Sequence, residues 1–197
     1  MIVDLSVSFD KGMALIDGDP PPKVTLEASI TEHGVNMQMV SMLNHIGTHI
    51  DAPAHMIDGG KTLGSYPIDK FVGPGKVIDV SGGYDRSMIA SVGVSAGDIV
   101  LIYNSNKTAS EPPEMPMGFA QGLIDIGIKM IGVESITLDD AESFPLHKVF
   151  LAADVMVTES LTNLDQLIGK DFTIYALPLR IDLDGAPARV IAEVKAR

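Results

Sequence analysis

A chain of 197 residues, 46% apolar and 20% charged, fits one folded domain over residues 1–197 with a sizeable core. Its net charge of −12, with no basic patch, argues against nucleic acid and against an anionic membrane surface as partners. The lack of cysteine excludes disulfides and thiol catalysis and is compatible with a reducing cytoplasm, while no basic leader or membrane-length apolar run is apparent.

Residues 1–8 alternate apolar and polar side chains, which predicts a strand. Residues 9–23 include Gly18-Asp19-Pro20-Pro21-Pro22 and must be a loop. Composition reads it as a connector, although such a loop can also fold over a site mouth. Two further alternating runs, 23–30 and 35–42, predict a hairpin with His33 solvated in its turn. A turn follows at Asp58-Gly59-Gly60-Lys61, then a short strand over 76–80 and a buried-type strand over Ile99–Tyr103. Residues 104–118 form a long loop. Phe119, Leu123, Ile126 and Met130 recur at helical spacing, which predicts a helix over 119–130 leading into a strand at 132–134. Residues 154–158 read as a buried strand with Glu159 at its end. Thr162 and Asp165 have the spacing of a capping box for a short helix to Ile168. Strands at 172–177 and 188–194 flank a turn around Asp184-Gly185. The pattern is a mixed α/β domain without repeat or linker.

Residues 45–55 carry the strongest chemical signal. His45, His49 and His55 are three of the five histidines, and Asp51 lies among them. Imidazole and carboxylate are the ligands of a borderline divalent ion such as zinc, and manganese accepts the same set. Gly47 and Pro53 disfavour a helix here, so an irregular loop is expected to turn the side chains toward one point. Structural zinc sites favour cysteine, so a catalytic centre is the better reading.

This stretch resembles the cyclase family of metal-dependent hydrolases, which includes bacterial kynurenine formamidases and has a related site in isatin hydrolases. The family pattern H-x-G-T-H-x-D-x-P-x-H is matched by His45, Gly47, Thr48, His49, Asp51, Pro53 and His55. A second match is separate: His147, then Glu159 twelve residues later, ahead of Leu161-Thr162-Asn163-Leu164-Asp165. The resemblance implies a swivelling β/β/α architecture with a mixed sheet, and a homodimer or homotetramer. It implies that His45, His49 and Asp51 hold a first metal, and that Asp51 and Glu159 bridge to a second. His147 would complete the second metal, and His55 would transfer protons. Zinc, two ions per chain, is the expected cofactor, with manganese as the alternative. A bound divalent ion lowers the pKa of water from about 15.7 toward about 7, which suits hydrolysis of a small-molecule amide in the manner of an arylformamidase. The alternatives are hydrolysis of another small cyclic amide or lactone, and a metal-binding relative without turnover. The chain departs from the family at Asn104-Ser105-Asn106. It also lacks the N-terminal tryptophan of the kynurenine formamidases, and Asp10 to Pro22 contains no aromatic residue. Asp58, Asp139 and Asp140 read as solvated turn residues.

Overall fold

A computed structural model describes residues 1–10, 13–139 and 143–195. Its strands are β1 (Ile2–Asp4), β2 (Lys23–Ala28), β3 (Met37–Ser41), β4 (His49–Asp51), β5 (Val72–Asp79), β6 (Ile99–Tyr103), β7 (Met130–Val133), β8 (Met156–Glu159), β9 (Phe172–Pro178) and β10 (Gly185–Val194). The α-helices are α1 (Ile30–His33), α2 (Ser87–Ser91), α3 (Met117–Ile126) and α4 (Pro145–Ala152). The large sheet runs β1-β10-β4-β8-β7-β6-β5-β9, and β9 also pairs with β10. Seven of its strands therefore close a barrel. Strands β5 to β8 are parallel neighbours, and every other pairing is antiparallel. The mixed α/β class and mixed sheet are as expected.

The strand Ile99–Tyr103 has no polar alternation because both of its faces are buried. Ile99 and Leu101 join Ile50, Met130, Met156 and Val190 inside the barrel. Val100 and Ile102 face outward, against Phe119 and Leu123 of α3 and Phe150 of α4. The domain thus has one core inside the barrel and a second between barrel and helices. Gly132 keeps the first core closed: a Cβ there would lie 2.6 Å from Leu101 Cδ2 and 2.8 Å from Leu161 Cδ1.

Several expectations need correction. The stretch after Gly47 is not loop throughout. His49–Asp51 is a strand with a partner on each side, too short for alternation to reveal. Helix α3 spans Met117–Ile126 rather than 119–130, because Gly127 adopts a left-handed φ of 86° and stops it. Met130 belongs to β7. Thr162 caps no helix: its N–H bonds Leu5 O, and Asn163, with φ 62°, precedes a 3-10 turn over Leu164–Leu167. Helix α2, five residues long with only Ile89 buried, is too short for helical periodicity to reveal. The hairpin β2–β3 forms, but its connection contains a single helical turn, α1, capped by Ser29. His33 is exposed there, as expected. Among the described residues, no helix is long and apolar enough to cross a membrane.

Leu101 is fully buried in the inner core. Leu101→Ala should lower unfolding free energy by about 2–5 kcal/mol, the usual range for a cavity of this type. Urea titration followed by circular dichroism measures it; a change within error of zero would mean that the barrel interior is not packed as described.

Candidate metal centre

The site is written into the pairing of β4 with β8. His49 lies opposite Glu159, Ile50 opposite Thr158, and Asp51 opposite Val157. Alternate residues of a strand share a face. Ile50 points into the barrel core, so His49, Asp51 and Glu159 all project from the outer face. His147, on the first turns of α4, packs onto the same face. These four groups are 1–4% exposed.

The connections are short. Asp51 Oδ1 lies 2.7 Å from His45 Nδ1 and 3.2 Å from His49 Nε2. Asp51 Oδ2 lies 3.6 Å from His147 Nε2. Glu159 Oε1 is 2.9 Å from His147 Nε2, and Oε2 is 3.5 Å from His49 Nε2. Asp51 therefore presents one oxygen to His45 and His49 and the other to His147. Two ligand sets that share Asp51 result, His45/His49/Asp51 and Asp51/His147/Glu159, and a third, half-buried set is His45/His55/Asp184, each with donor atoms within 4.8 Å of one another.

Each of these imidazoles is held from behind. His45 Nε2 meets Asp184 Oδ2 at 2.9 Å. His49 Nδ1 meets the Gly47 carbonyl at 2.8 Å. His147 Nδ1 meets Asp139 Oδ2 at 2.9 Å. A ring nitrogen facing such a supporting carbonyl or carboxylate keeps its proton, so the opposite nitrogen is the one that can give up its proton to a metal. In all three residues that opposite nitrogen faces the Asp51–Glu159 cluster.

Local backbone explains the placement. Gly47 has φ 58°, and a Cβ there would sit 2.8 Å from Met13 Sδ, so the loop after residue 9 closes against the motif rather than merely connecting strands. Thr48 ties three segments together: it accepts from Val7 N–H at 2.9 Å and donates to Ser160 O at 2.5 Å. Gly185, opposite Asp51 on β10, leaves space for the His45 ring, since a Cβ would fall 2.3 Å from His45 Cε1. Pro53 starts a 3-10 turn over Pro53–His55. That turn brings His55 back to stack on His45, with ring centroids 3.9 Å apart and planes at 28°.

The structure thus brings together His45, His49, Asp51, His147 and Glu159, with His55 beside them. Two acidic residues went unrecognised in the sequence. Asp139 is not solvated. It is 4% exposed and accepts from the N–H groups of Leu146 and His147 as well as facing the His147 ring. Its signal was its position just ahead of α4, where carboxylates complete free N–H groups. Asp184 looked like an ordinary Asp-Gly turn residue. Asp58 is exposed as expected, and Asp140 lies outside the described residues. Phe144, in the left-handed region at φ 49°, sets its ring edge-on to His147 at 5.6 Å.

The electrostatics fit a cation. Burial alone would raise the Asp51 carboxyl, but His49 and His45 hold it well below the usual carboxylate range. Burial alone would lower His49, but the charges of Asp51 and Glu159 raise it to about 9. His147 is likewise raised by Asp139 and Glu159, to about 10. His55 differs: burial pushes it below the ordinary histidine value. Among the described residues, Asp51 Oδ2 is the one buried side-chain polar atom without a hydrogen-bond partner. Such an atom is costly to bury unless something satisfies it. Three imidazoles and two carboxylates around that oxygen suit a divalent metal.

Residues 3–140 match the putative cyclase family. The chain belongs to that family. It is 30% identical over 201 residues to a kynurenine formamidase of Bacillus cereus, covering 96% of this chain and 95% of that one. Among solved structures, a potential metal-dependent hydrolase with cyclase activity superposes with a TM-score of 0.82 at 29% identity, covering 100% of this chain and 99% of that one. Isatin hydrolase A from Labrenzia aggregata, bound to benzyl benzoate, gives 0.83 at 26% identity, covering 98% and 93%. The expected family and the mixed α/β fold are both borne out.

The raised histidines set a pH dependence for metal-free protein. Groups near 6.5 when unfolded and near 9 and 10 when folded stabilise fully below 6.5, and that stability is lost as pH rises through the folded values. Chelator-treated protein should therefore lose melting temperature steadily from pH 7 to pH 10, while metal-loaded protein, whose imidazoles are already neutral, should not. Equal slopes for the two forms in differential scanning calorimetry would contradict this reading.

Proposed function

We propose that this protein is a metal-dependent hydrolase of a small-molecule amide, acting on a C–N bond other than a peptide bond in the manner of an arylformamidase. The observation that carries it is the unpartnered Asp51 Oδ2, buried between two sets of imidazole and carboxylate ligands. In this reading His45, His49 and Asp51 hold one ion, and Asp51, His147 and Glu159 hold a second. Zinc is the ion we expect, two per chain, with manganese acceptable to the same donors. Divalent ions held there acidify water and polarise a scissile carbonyl.

The chain's own residues supply the rest. Asp51 and Glu159 each offer two oxygens, which offsets repulsion between neighbouring cations. His55 is outside both ligand sets that include Asp51. It is half-buried and held neutral by burial near physiological pH. A neutral imidazole can take a proton from the attacking water and return it to the departing nitrogen. The similarity to a kynurenine formamidase supports an N-formyl aryl amine as substrate. A cyclic amide is the second reading, favoured by the likeness to isatin hydrolase A and by the lack of any tryptophan to stack on an aryl formamide. Aromatic contacts are worth about 0.5–1.5 kcal/mol beyond area, so formylkynurenine should be a weaker substrate here.

The working unit in this proposal is a homodimer or homotetramer joined through β2–β3. Val24, Leu26, Ile30, Met37 and Met39 stand 56–64% exposed. An isolated hairpin is marginally stable in water, and apolar patches of this kind are usually covered. The hairpin carries little of the chain's −12 charge, so two copies can meet there with little repulsion.

Two experiments test the metal site and the oligomer. Metal analysis and hydrolysis of formanilides, isatin and lactones should be run on wild type, His49→Ala and His55→Ala. His49→Ala should lose metal and activity together; His55→Ala should keep its metal while the rate falls by about 10²–10⁴. Loss of a stoichiometric ion from His55→Ala would make that residue a ligand, and a fully metallated wild type inert on every substrate would favour a metal-binding protein without turnover. Sedimentation velocity should show an oligomer that Leu26→Lys dissociates; a monomeric wild type would remove the hairpin interface.

A further inference from the structure

The catalytic reading leaves Asp184 without a role, yet its carboxylate meets three side chains at the edge of the site. Oδ2 faces two ring nitrogens at once, His45 Nε2 at 2.9 Å and His55 Nδ1 at 3.2 Å. Oδ1 accepts from Asn44 Nδ2 at 2.8 Å, and the same amide reaches Gly185 O at 3.2 Å. The Asp184 backbone carbonyl accepts from Ala52 N–H at 2.8 Å, next to Asp51. The carboxylate is thus fixed by its own backbone and by Asn44 before it meets either histidine.

We propose that Asp184 is a positioning residue that orients His55 and His45 together through one shared oxygen. The proposal rests on the acid–base reading of His55 given above. An ionised carboxylate only accepts, so both ring nitrogens that face it must carry hydrogen. That choice fixes both tautomers. For His45 it leaves Nδ1, the atom 2.7 Å from Asp51 Oδ1 in the ligand cluster, as the nitrogen that gives up its proton to bind a metal. His55 is left with a bare Nε2 as the atom that can take and return a proton. The stacked rings, 3.9 Å apart, keep the two side chains in one orientation. Gly185 belongs to the device, because any Cβ there would push His45 off the carboxylate. A carboxylate behind an imidazole is a common way to hold a metal ligand, and removing such a partner lowers metal affinity or activity about 10–100-fold. Here the same oxygen also holds the proton-transfer group, so metal retention and proton transfer share one support.

The test uses Asp184→Asn, with Asn44→Ala as a milder variant that leaves the carboxylate in place. Nitrogen-15 spectra of the histidine rings in metal-free protein read the tautomers directly, whether or not a substrate is known. Wild type should show His55 protonated at Nδ1; Asp184→Asn should show a mixture or the other tautomer, and Asn44→Ala an intermediate state. With formanilide as probe and saturating zinc, Asp184→Asn should lose about 10–100-fold in kcat with KM changed far less. In a His55→Ala background the same substitution should cause little further loss. An unchanged His55 tautomer in Asp184→Asn, or an undiminished additional loss in the His55→Ala background, would overturn the proposal. Full activity of His55→Ala would instead overturn the acid–base reading on which it stands, so the two failures are distinguishable.

Discussion

The structure depends on a buried collection of negative charge. Asp51 and Glu159 project from the same face of adjacent strands, beneath α4, with Asp139 immediately behind His147. Carboxylates at such depth are tolerated only when they are paired or bound to a cation. Without metal, protons on His49 and His147 supply the compensation. The cluster is therefore a place where proton and metal compete for the same seats, and binding of one must release the other. The strand register, the glycines at 47 and 185 and the 3-10 turn at Pro53 can all be understood as the frame that holds this charge in place.

Much of that centre was legible in the sequence because its ligands are clustered. The spacing His45-x3-His49-x-Asp51 reflects one bend followed by one short strand, and strand periodicity sends His49 and Asp51 the same way. His147 and Glu159 were legible only through family resemblance. Nothing local tells a histidine on a helix that it will meet a strand end twelve residues later. Asp139 and Asp184 were missed for the opposite reason. Each sits in a stretch whose local chemistry is that of any turn, and only tertiary contacts turn those carboxylates inward. Asp139 owes its burial to the docking of α4, and Asp184 owes its contacts with His45 and His55 to the pairing of β10 with β4.

The fold shows the same division. Ile99–Tyr103 could be read without error because burial on both faces leaves an uninterrupted apolar run. The helix over Met117–Ile126 reads too long in the sequence because Met130 continues its apolar spacing, whereas backbone conformation at Gly127 ends it. The three-residue β4 could not be seen at all. A strand that short is defined by its neighbours, not by its own periodicity.

Strand β10 has a consequence for how the molecule comes into being. Along its length it pairs with β9, with β4 and with β1. It is the last stave of the barrel in chain order, and it pairs with the first strand, Val3 lying opposite Ala192. The contacts it completes span great sequence distances, 139 residues between His45 and Asp184 alone. Closing such loops is slow, because chain entropy must be lost before the contacts reward it. A nascent or partly folded chain therefore holds His45, His49 and Asp51 without the stave that shapes their site. Full metal-holding geometry arises only on barrel closure, so capture of the ion also marks that folding is complete.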